Sequence, residues 1–345
     1  MANETRRILL IINPISGTMS KEGLEERVTA RLAKAGFAVE TAYTERAGHG
    51  FELAARAADK GYYGVIAAGG DGTVNEIAGA LRDTSTIMGI LPFGSGNGLA
   101  RHIYGSIDVD HALDIIARDF PQQCDYGLVN GSPFFCTFGL GFDAKVSQQF
   151  SRASSRGLAT YLKSAIQEYL SYSPTEYEIT AGDRRMKVKA FIVAVCNASQ
   201  YGNNAYVAPH ASIRDGMLDI IIIHPGNPIT RAIAGVELFT GKLDHNLLIE
   251  SMRVEKATIR HLPGPGHIDG EPIMTPETLQ IECRKGALRI FYDPDKPSFR
   301  PFITPIEAIR SDSQFVMREN TRLAIRNIKE KISKVLKNDN GEAKK

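Results

Sequence analysis

Glycine gathers at three places where a short apolar run ends: Asn13-Pro14-Ile15-Ser16-Gly17, Gly69-Gly70-Asp71-Gly72-Thr73 and Gly94-Ser95-Gly96-Asn97-Gly98. A turn stripped of side chains exposes its N–H groups, and a helix beginning there adds the positive end of its dipole. The chemistry on offer is phosphate binding. Asp71 leaves one carboxylate in the middle turn. One such loop is weak evidence, whereas three of them, each following a strand of one sheet, converge on a nucleotide-phosphate site.

The elements that must carry these loops alternate. Arg7 to Ile12, Ala38 to Thr44, Val65 to Ala68 and Ile87 to Pro92 read as strands, with helical periodicity over Leu24 to Ala35, Phe51 to Lys60 and Val74 to Leu81. Thr73 and Glu76 have the spacing of a capping box opening the last of these helices. Such an order predicts a parallel sheet with helices on both faces, a Rossmann-like α/β domain that binds ligands at the carboxyl ends of its strands. After residue 122 the pattern changes to strand pairs around turn signals: Tyr126 to Asn130 with Phe134 to Phe138, Tyr177 to Thr180 with Met186 to Asn197, and Leu279 to Cys283 with Ala287 to Tyr292. Only Leu158 to Tyr172 looks strongly helical there. The expected organisation is an α/β domain over 1–122, a mostly antiparallel β-sandwich over 123–304 whose end returns to the first domain, and a basic helical tail over 305–345.

With 345 residues, 43% hydrophobic and 23% charged, the chain suits two ordinary globular domains, and a net charge of +2 argues against a nucleic-acid partner. Cys124, Cys136, Cys196 and Cys283 lie far apart and fit reduced thiols in a cytoplasmic protein. No run of about twenty apolar residues appears. The tail keeps Ile325, Ile328, Ile332 and Val335 on one stripe with Arg326, Lys329, Lys331, Lys334 and Lys337 elsewhere; it reads as a helix docking on its own protein, on a second copy in a homodimer, or on a membrane surface.

GGDGTVNE, PFGSGNGLAR, GLGFDA and HIDGEP, in this order, resemble the diacylglycerol kinase catalytic family, which includes sphingoid-base kinases and soluble bacterial lipid kinases. GGDGT alone is shared with NAD kinases and phosphofructokinases. The resemblance covers about residues 5 to 300 and implies an ATP site in the cleft between the domains, made by Asn13, Pro14, Ile15, Ser16 and Gly17, by Thr44, by Gly70, Asp71, Gly72, Thr73, Val74, Asn75 and Glu76, and by Ser95, Gly96 and Asn97. It also implies Mg²⁺ and a carboxylate near the attacking hydroxyl, the two things phosphoryl transfer requires beyond positioning. An isolated Asp-Gly-Glu is an ordinary solvated turn; matched to the family's motif, Asp269 and Glu271 face the nucleotide, with Glu271 the first choice of base, Asp269 next and Asp71 competing. Arg152 or Arg156 would lend the phosphates a positive charge.

By the same resemblance Ser212, Asp215 and Met217 would hold a structural Mg²⁺, Ser212 and Met217 through backbone carbonyls, although Gly98 stands where such relatives carry an aspartate. The acceptor implied is a membrane lipid met at the inner bilayer surface, in an apolar pocket for which Phe134, Phe135, Phe138, Leu140, Phe142, Tyr161, Leu162 and Ile166 are candidates, each of them equally readable as plain β-sandwich core. GSGNGLA leans toward sphingoid-base kinases. Lys145 leans toward diacylglycerol, since it replaces an acidic residue that would meet a lipid amine. An NAD kinase and a non-catalytic nucleotide- or lipid-binding protein are the rival readings.

Overall fold

The computed structural model describes residues 6–17, 19–151, 172–293 and 295. The apolar runs that end in glycine are strands of a parallel array: β1 (Arg6–Ile12), β2 (Phe37–Tyr43), β3 (Gly64–Gly69) and β4 (Ile87–Pro92), separated by α1 (Leu24–Ala33), α2 (His49–Asp59) and α3 (Asp71–Leu81). β2 pairs with β1, β1 with β3 and β3 with β4, all parallel. Every residue of β3 and β4 is buried, as a sheet covered on both faces demands. Parallel direction brings the three glycine loops to one edge.

Two helices follow, α4 (Gly98–Tyr104) and α5 (Val109–Ala117). All seven residues of α4 are buried, which leaves it no polar face and so no periodicity to read. The chain then builds β5 (Pro121–Val129), β6 (Ser132–Phe134), β7 (Thr137–Gly141), α6 (Phe142–Ser151), β8 (Thr175–Ala181), β9 (Arg184–Ala190), β10 (Ile192–Cys196), β11 (Leu218–Ile223), α7 (Pro228–Thr240), β12 (Ile249–Val254), β13 (Lys256–His261), β14 (Gly264–Ile268), β15 (Glu271–Thr275) and β16 (Thr278–Phe291). Six of these strands form an antiparallel sheet in the order β12-β11-β10-β7-β14-β15. The others extend the first sheet, in the order β2-β1-β3-β4-β16-β13-β8-β9 with β5 beside β16.

Two expected strand pairs are drawn differently. Leu279 to Cys283 and Ala287 to Tyr292 are not a hairpin but one strand, β16, with an irregularity between Arg284 and Leu288. β5 pairs with both halves, and Gly286 N–H donates to Asp125 Oδ1 at 2.7 Å, so the glycine makes a bulge rather than a reversal. Met186 to Asn197 is two strands: β9 belongs to the large sheet and β10 to the small one. The chain changes sheets at Phe191, whose N–H donates to Ile223 O at 2.7 Å.

The two sheets of the second domain close on a core that includes Phe134, Phe138, Leu140, Val195, Ile220 and Ile281. Phe134, Phe138 and Leu140 are therefore sandwich core and not lipid-pocket lining, because a strand residue facing the opposite sheet has no exit to solvent. Phe135 packs with the first-domain core instead. Phe142 stacks on Phe191 at 4.6 Å, on the outer face of the small sheet. Tyr161, Leu162, Ile166, Arg152, Arg156, most of the helix expected over 158–172 and the tail all lie outside the described residues. Among the described residues no helix is long and apolar enough to cross a membrane, and the four cysteines are free thiols. Phe138→Ala should cost about 3–5 kcal/mol of stability through the cavity it opens between the sheets, seen as a lowered thermal midpoint.

Candidate active site

The three glycine loops touch one another, and glycine is what lets them. A Cβ on Gly17, whose φ is +75°, would stand 1.5 Å from Phe93 O; one on Gly94 would stand 2.6 Å from Gly70 Cα. The first loop is tied to the second by Asn13, whose Nδ2 donates to Thr73 Oγ1 at 3.0 Å. Lys21 donates to Ser16 O and lies 4.9 Å from the centre of the Phe93 ring, linking the first loop to the third. Pro14, Ile15 and Ser95 are exposed at the rim, and Thr44 is buried with its N–H on Ile12 O at 2.9 Å. The result is a shallow floor of backbone at the N-terminus of α3.

Helix α3 begins at Asp71, and Gly70 at its N-cap offers no capping side chain. The expected capping box is therefore not formed. Thr73 lies inside the helix, and the Glu76 carboxylate turns away from the loop to accept from Gly48 N at 2.7 Å and Gly50 N at 3.0 Å, at the start of α2. Glu76 thus caps a neighbouring helix, with both carboxylate oxygens accepting from its first amides. The first N–H groups of α3 keep the unsatisfied character that suits an anion, and glycine at 70 and 72 keeps side chains out of the way. The donor set fits the phosphate chain of a nucleotide.

Three carboxylates surround this floor in different states. Asp71 Oδ2 and Oδ1 accept from Asn97 N at 2.9 Å and Gly98 N at 2.8 Å, so Asp71 holds the third loop. Burial raises its carboxyl above the usual range against the pull of those amides. Asp269 accepts four N–H bonds: Phe135 N at 2.8 Å, Cys136 N at 2.7 Å, Thr137 N at 2.8 Å and Asn75 Nδ2 at 2.8 Å. Burial outweighs these donors and brings Asp269 up to about 6. Glu271 is exposed, and its Oε1 would lie 3.9 Å from a Cβ on Gly72. Of the three it is the carboxylate whose oxygens are not committed to backbone.

A small cavity of about 20 Å³, room for about one water, lies among Asp71, Asn75, Asp269 and Tyr201, with Val74 and Phe135 on its wall. Sequence reasoning missed the second-domain loop that closes the site. Asn203 N–H donates to Gly96 O at 3.1 Å, and Arg101 reaches both Gly96 O at 2.9 Å and Asn204 Oδ1 at 3.1 Å. Nothing in the spacing of residues 199–204 announces this contact, though a buried arginine just after a glycine loop is a signal that could be followed.

At Ser212, Asp215 and Met217 the one carboxylate is already engaged within the chain. Asp215 Oδ1 accepts from Met217 N at 3.1 Å and its Oδ2 lies 3.5 Å from the Arg253 guanidinium, so a positive charge already faces the carboxylate. Ser212 Oγ accepts from Arg214 N at 3.3 Å. A Cβ on Gly98 would meet Cys136 Sγ, Gln200 O and Gly202 N at 3.4 Å each, ordinary contact distances. Among the described residues no three His, Cys, Asp or Glu side chains gather as a metal site.

Glycine loops on the carboxyl edge of a parallel sheet, facing carboxylates delivered by an antiparallel sheet, define a phosphotransferase of the kind that acts on an alcohol. Comparison with known proteins agrees. Residues 7–129 match the diacylglycerol kinase catalytic domain and residues 137–292 the YegS C-terminal NAD kinase beta sandwich-like domain. A YegS-like lipid kinase of Chromohalobacter salexigens is 31% identical over 265 residues, covering 75% of this chain and 85% of the relative. A diacylglycerol kinase of Bacillus subtilis is 29% identical over 228 residues, covering 64% and 75%. A crystal structure of a diacylglycerol kinase from Bacillus anthracis superposes with a TM-score of 0.67 at 21% identity, covering 86% of this chain and all of that one, which shows the shared fold. The chain belongs to the diacylglycerol kinase catalytic-domain family.

Two outcomes follow from the geometry. Glu76→Ala should destabilise the first domain by about 1 kcal/mol, the worth of a helix cap, measured by denaturant unfolding. Protonating Asp269 removes an acceptor from four N–H groups that need one, so the site is intact above its pKa and impaired below it. Turnover should fall as pH drops through about 6, and a profile flat through that value would contradict this role.

Proposed function

We propose that the protein transfers the γ-phosphate of ATP to a lipid hydroxyl, with diacylglycerol as the acceptor and phosphatidic acid as the product. The observation that carries this reading is the division among the carboxylates. Asp71 and Asp269 are spent on backbone amides, whereas Glu271 faces the bare N-terminus of α3.

In this mechanism the loops at 13–17, 70–75 and 95–97 hold the phosphate chain, with backbone donors and the α3 dipole placed where charge develops. Mg²⁺ carried by the nucleotide neutralises phosphate charge when bound. Glu271 accepts the proton of the attacking hydroxyl as that oxygen bonds to the γ-phosphorus and the bond from that phosphorus to the β–γ bridging oxygen breaks, releasing ADP. Positioning supplies most of the rate. The acceptor enters from a bilayer surface, so the protein visits membranes. Lys145 supports a neutral acceptor over a sphingoid base, because its ammonium would repel the lipid amine.

Transfer of labelled γ-phosphate to micellar diacylglycerol, monoacylglycerol, sphinganine, ceramide and undecaprenol, with NAD as control, tests the assignment. Label in phosphatidic acid is expected. Label in NAD and in no lipid would overturn it, and label in sphinganine alone would move the acceptor to a sphingoid base. Glu271→Gln should lower kcat by about 10²- to 10⁴-fold while ATP still binds; near-normal kcat would remove Glu271 from the role of base.

A further inference from the structure

GLGFDA and HIDGEP each contain a residue that the reaction above leaves unused, Asp143 and His267. Both are buried, Asp143 4% exposed and His267 1%. Polar groups so deep are costly unless their partners are complete. They are partners of each other, with His267 Nε2 3.2 Å from Asp143 Oδ2. The same Oδ2 accepts from the Tyr201 hydroxyl at 2.8 Å, and Oδ1 accepts from Ala144 N at 2.8 Å. On the other side of the ring, Gly270 N–H donates to His267 Nδ1 at 3.3 Å.

That last bond assigns the tautomer. A ring nitrogen facing an N–H must carry a lone pair, so the imidazole proton sits on Nε2 and points at Asp143. Gly139 shows how closely the pair is fitted: it lies across the sheet from His267, and a Cβ there would stand 2.1 Å from Nε2 and 2.3 Å from Asp143 Oδ2. The chain of bonds runs from Tyr201 through Asp143 and His267 to the amide of Gly270. Both of its ends are in the active site. Tyr201 lines the cavity between Asp71 and Asp269, and Gly270 is the centre of the turn that carries Asp269 and Glu271.

The turn is a tight hairpin: Asp269 and Gly270 have φ of 48° and 87°, the left-handed pair that Asp-Gly favours. Asp269 is anchored through its side chain, but Glu271 is exposed and has no such anchor of its own. Its backbone pairs with Ile268 and follows the peptide at Gly270, whose N–H is held by His267.

We propose that Asp143, His267 and Tyr201 are positioning residues for phosphoryl transfer: the chain Tyr201–Asp143–His267–Gly270 aims the Glu271 carboxylate at the N-terminus of α3. This rests on Glu271 as the base. Among the described residues the side-chain hydrogen bonds of Asp143 and His267 run to Tyr201, Ala144, Gly270 and each other and none to a glycine loop, so their loss acts on the transfer step and not on ATP binding.

The test uses the full-length protein. Asp143→Asn keeps the shape and an acceptor for Tyr201 but removes the charge that fixes the imidazole proton; kcat should fall on the order of 10²-fold with KM for ATP unchanged, the cost of an ångström-scale misplacement. Tyr201→Phe leaves the Asp–His pair intact and should lower kcat several-fold with the same split, which decides the matter if the first variant does not fold. ¹⁵N NMR of the wild-type imidazole should show Nε2 protonated and Nδ1 bare. Unchanged kcat in a folded Asp143→Asn or in Tyr201→Phe, equal losses in kcat and ATP affinity, or a proton on Nδ1 would each overturn the proposal. The NMR readout needs no acceptor, so a wild type that labels no lipid would fail the functional reading and leave the tautomer to decide the relay.

Discussion

The carboxylate of Asp269 is the contact on which the site depends. It sits in a turn of the second domain and accepts from three consecutive amides, those of Phe135, Cys136 and Thr137, and from Asn75 on α3. One side chain therefore joins the start of β7, the β14–β15 turn and the helix that presents its N-terminus to phosphate. Four donors to one half-buried carboxylate make a rigid node, because leaving a shielded N–H without a partner costs about 1–3 kcal/mol. The cleft between the domains is held by hydrogen bonds of fixed length and direction, which apolar contact would not provide.

The glycine loops obey a second constraint. Their glycines serve the close approach of one loop to another as much as the approach of a ligand. Gly17 against Phe93, Gly94 against Gly70 and Gly96 against Asp71 leave no space for a Cβ. Packed backbone has few ways to relax, so the donors at the start of α3 stay in place before a ligand arrives. Asp71 completes the arrangement by accepting from the amides of Asn97 and Gly98, which pins the third loop to the second.

Charge is divided with the same economy. Carboxylates that hold backbone are half-buried; the one left exposed is at the mouth of the cleft. Where a structural cation was expected, Arg253 pairs with both Asp215 and Asp219. The guanidinium supplies the positive charge that two neighbouring acids need, and it does so as part of the chain.

Much of this was legible in residue order. The buried runs ahead of Asn13, Gly69 and Gly94 declared a parallel sheet, parallel direction put their loops on one edge, and the motif HIDGEP named the carboxylates. Helix α4 was not legible, being buried all round, and neither was β16 as a single strand, since a glycine bulge and a glycine turn look alike until the partner strand is known. The roles of Glu76, Asp71 and Asp269 were decided only by the tertiary structure. A carboxylate's chemistry depends on which N–H groups reach its oxygens, and here those groups come from residues 26 to 194 positions away. Local spacing determined which side chains were present; folding determined which of them remained free to react.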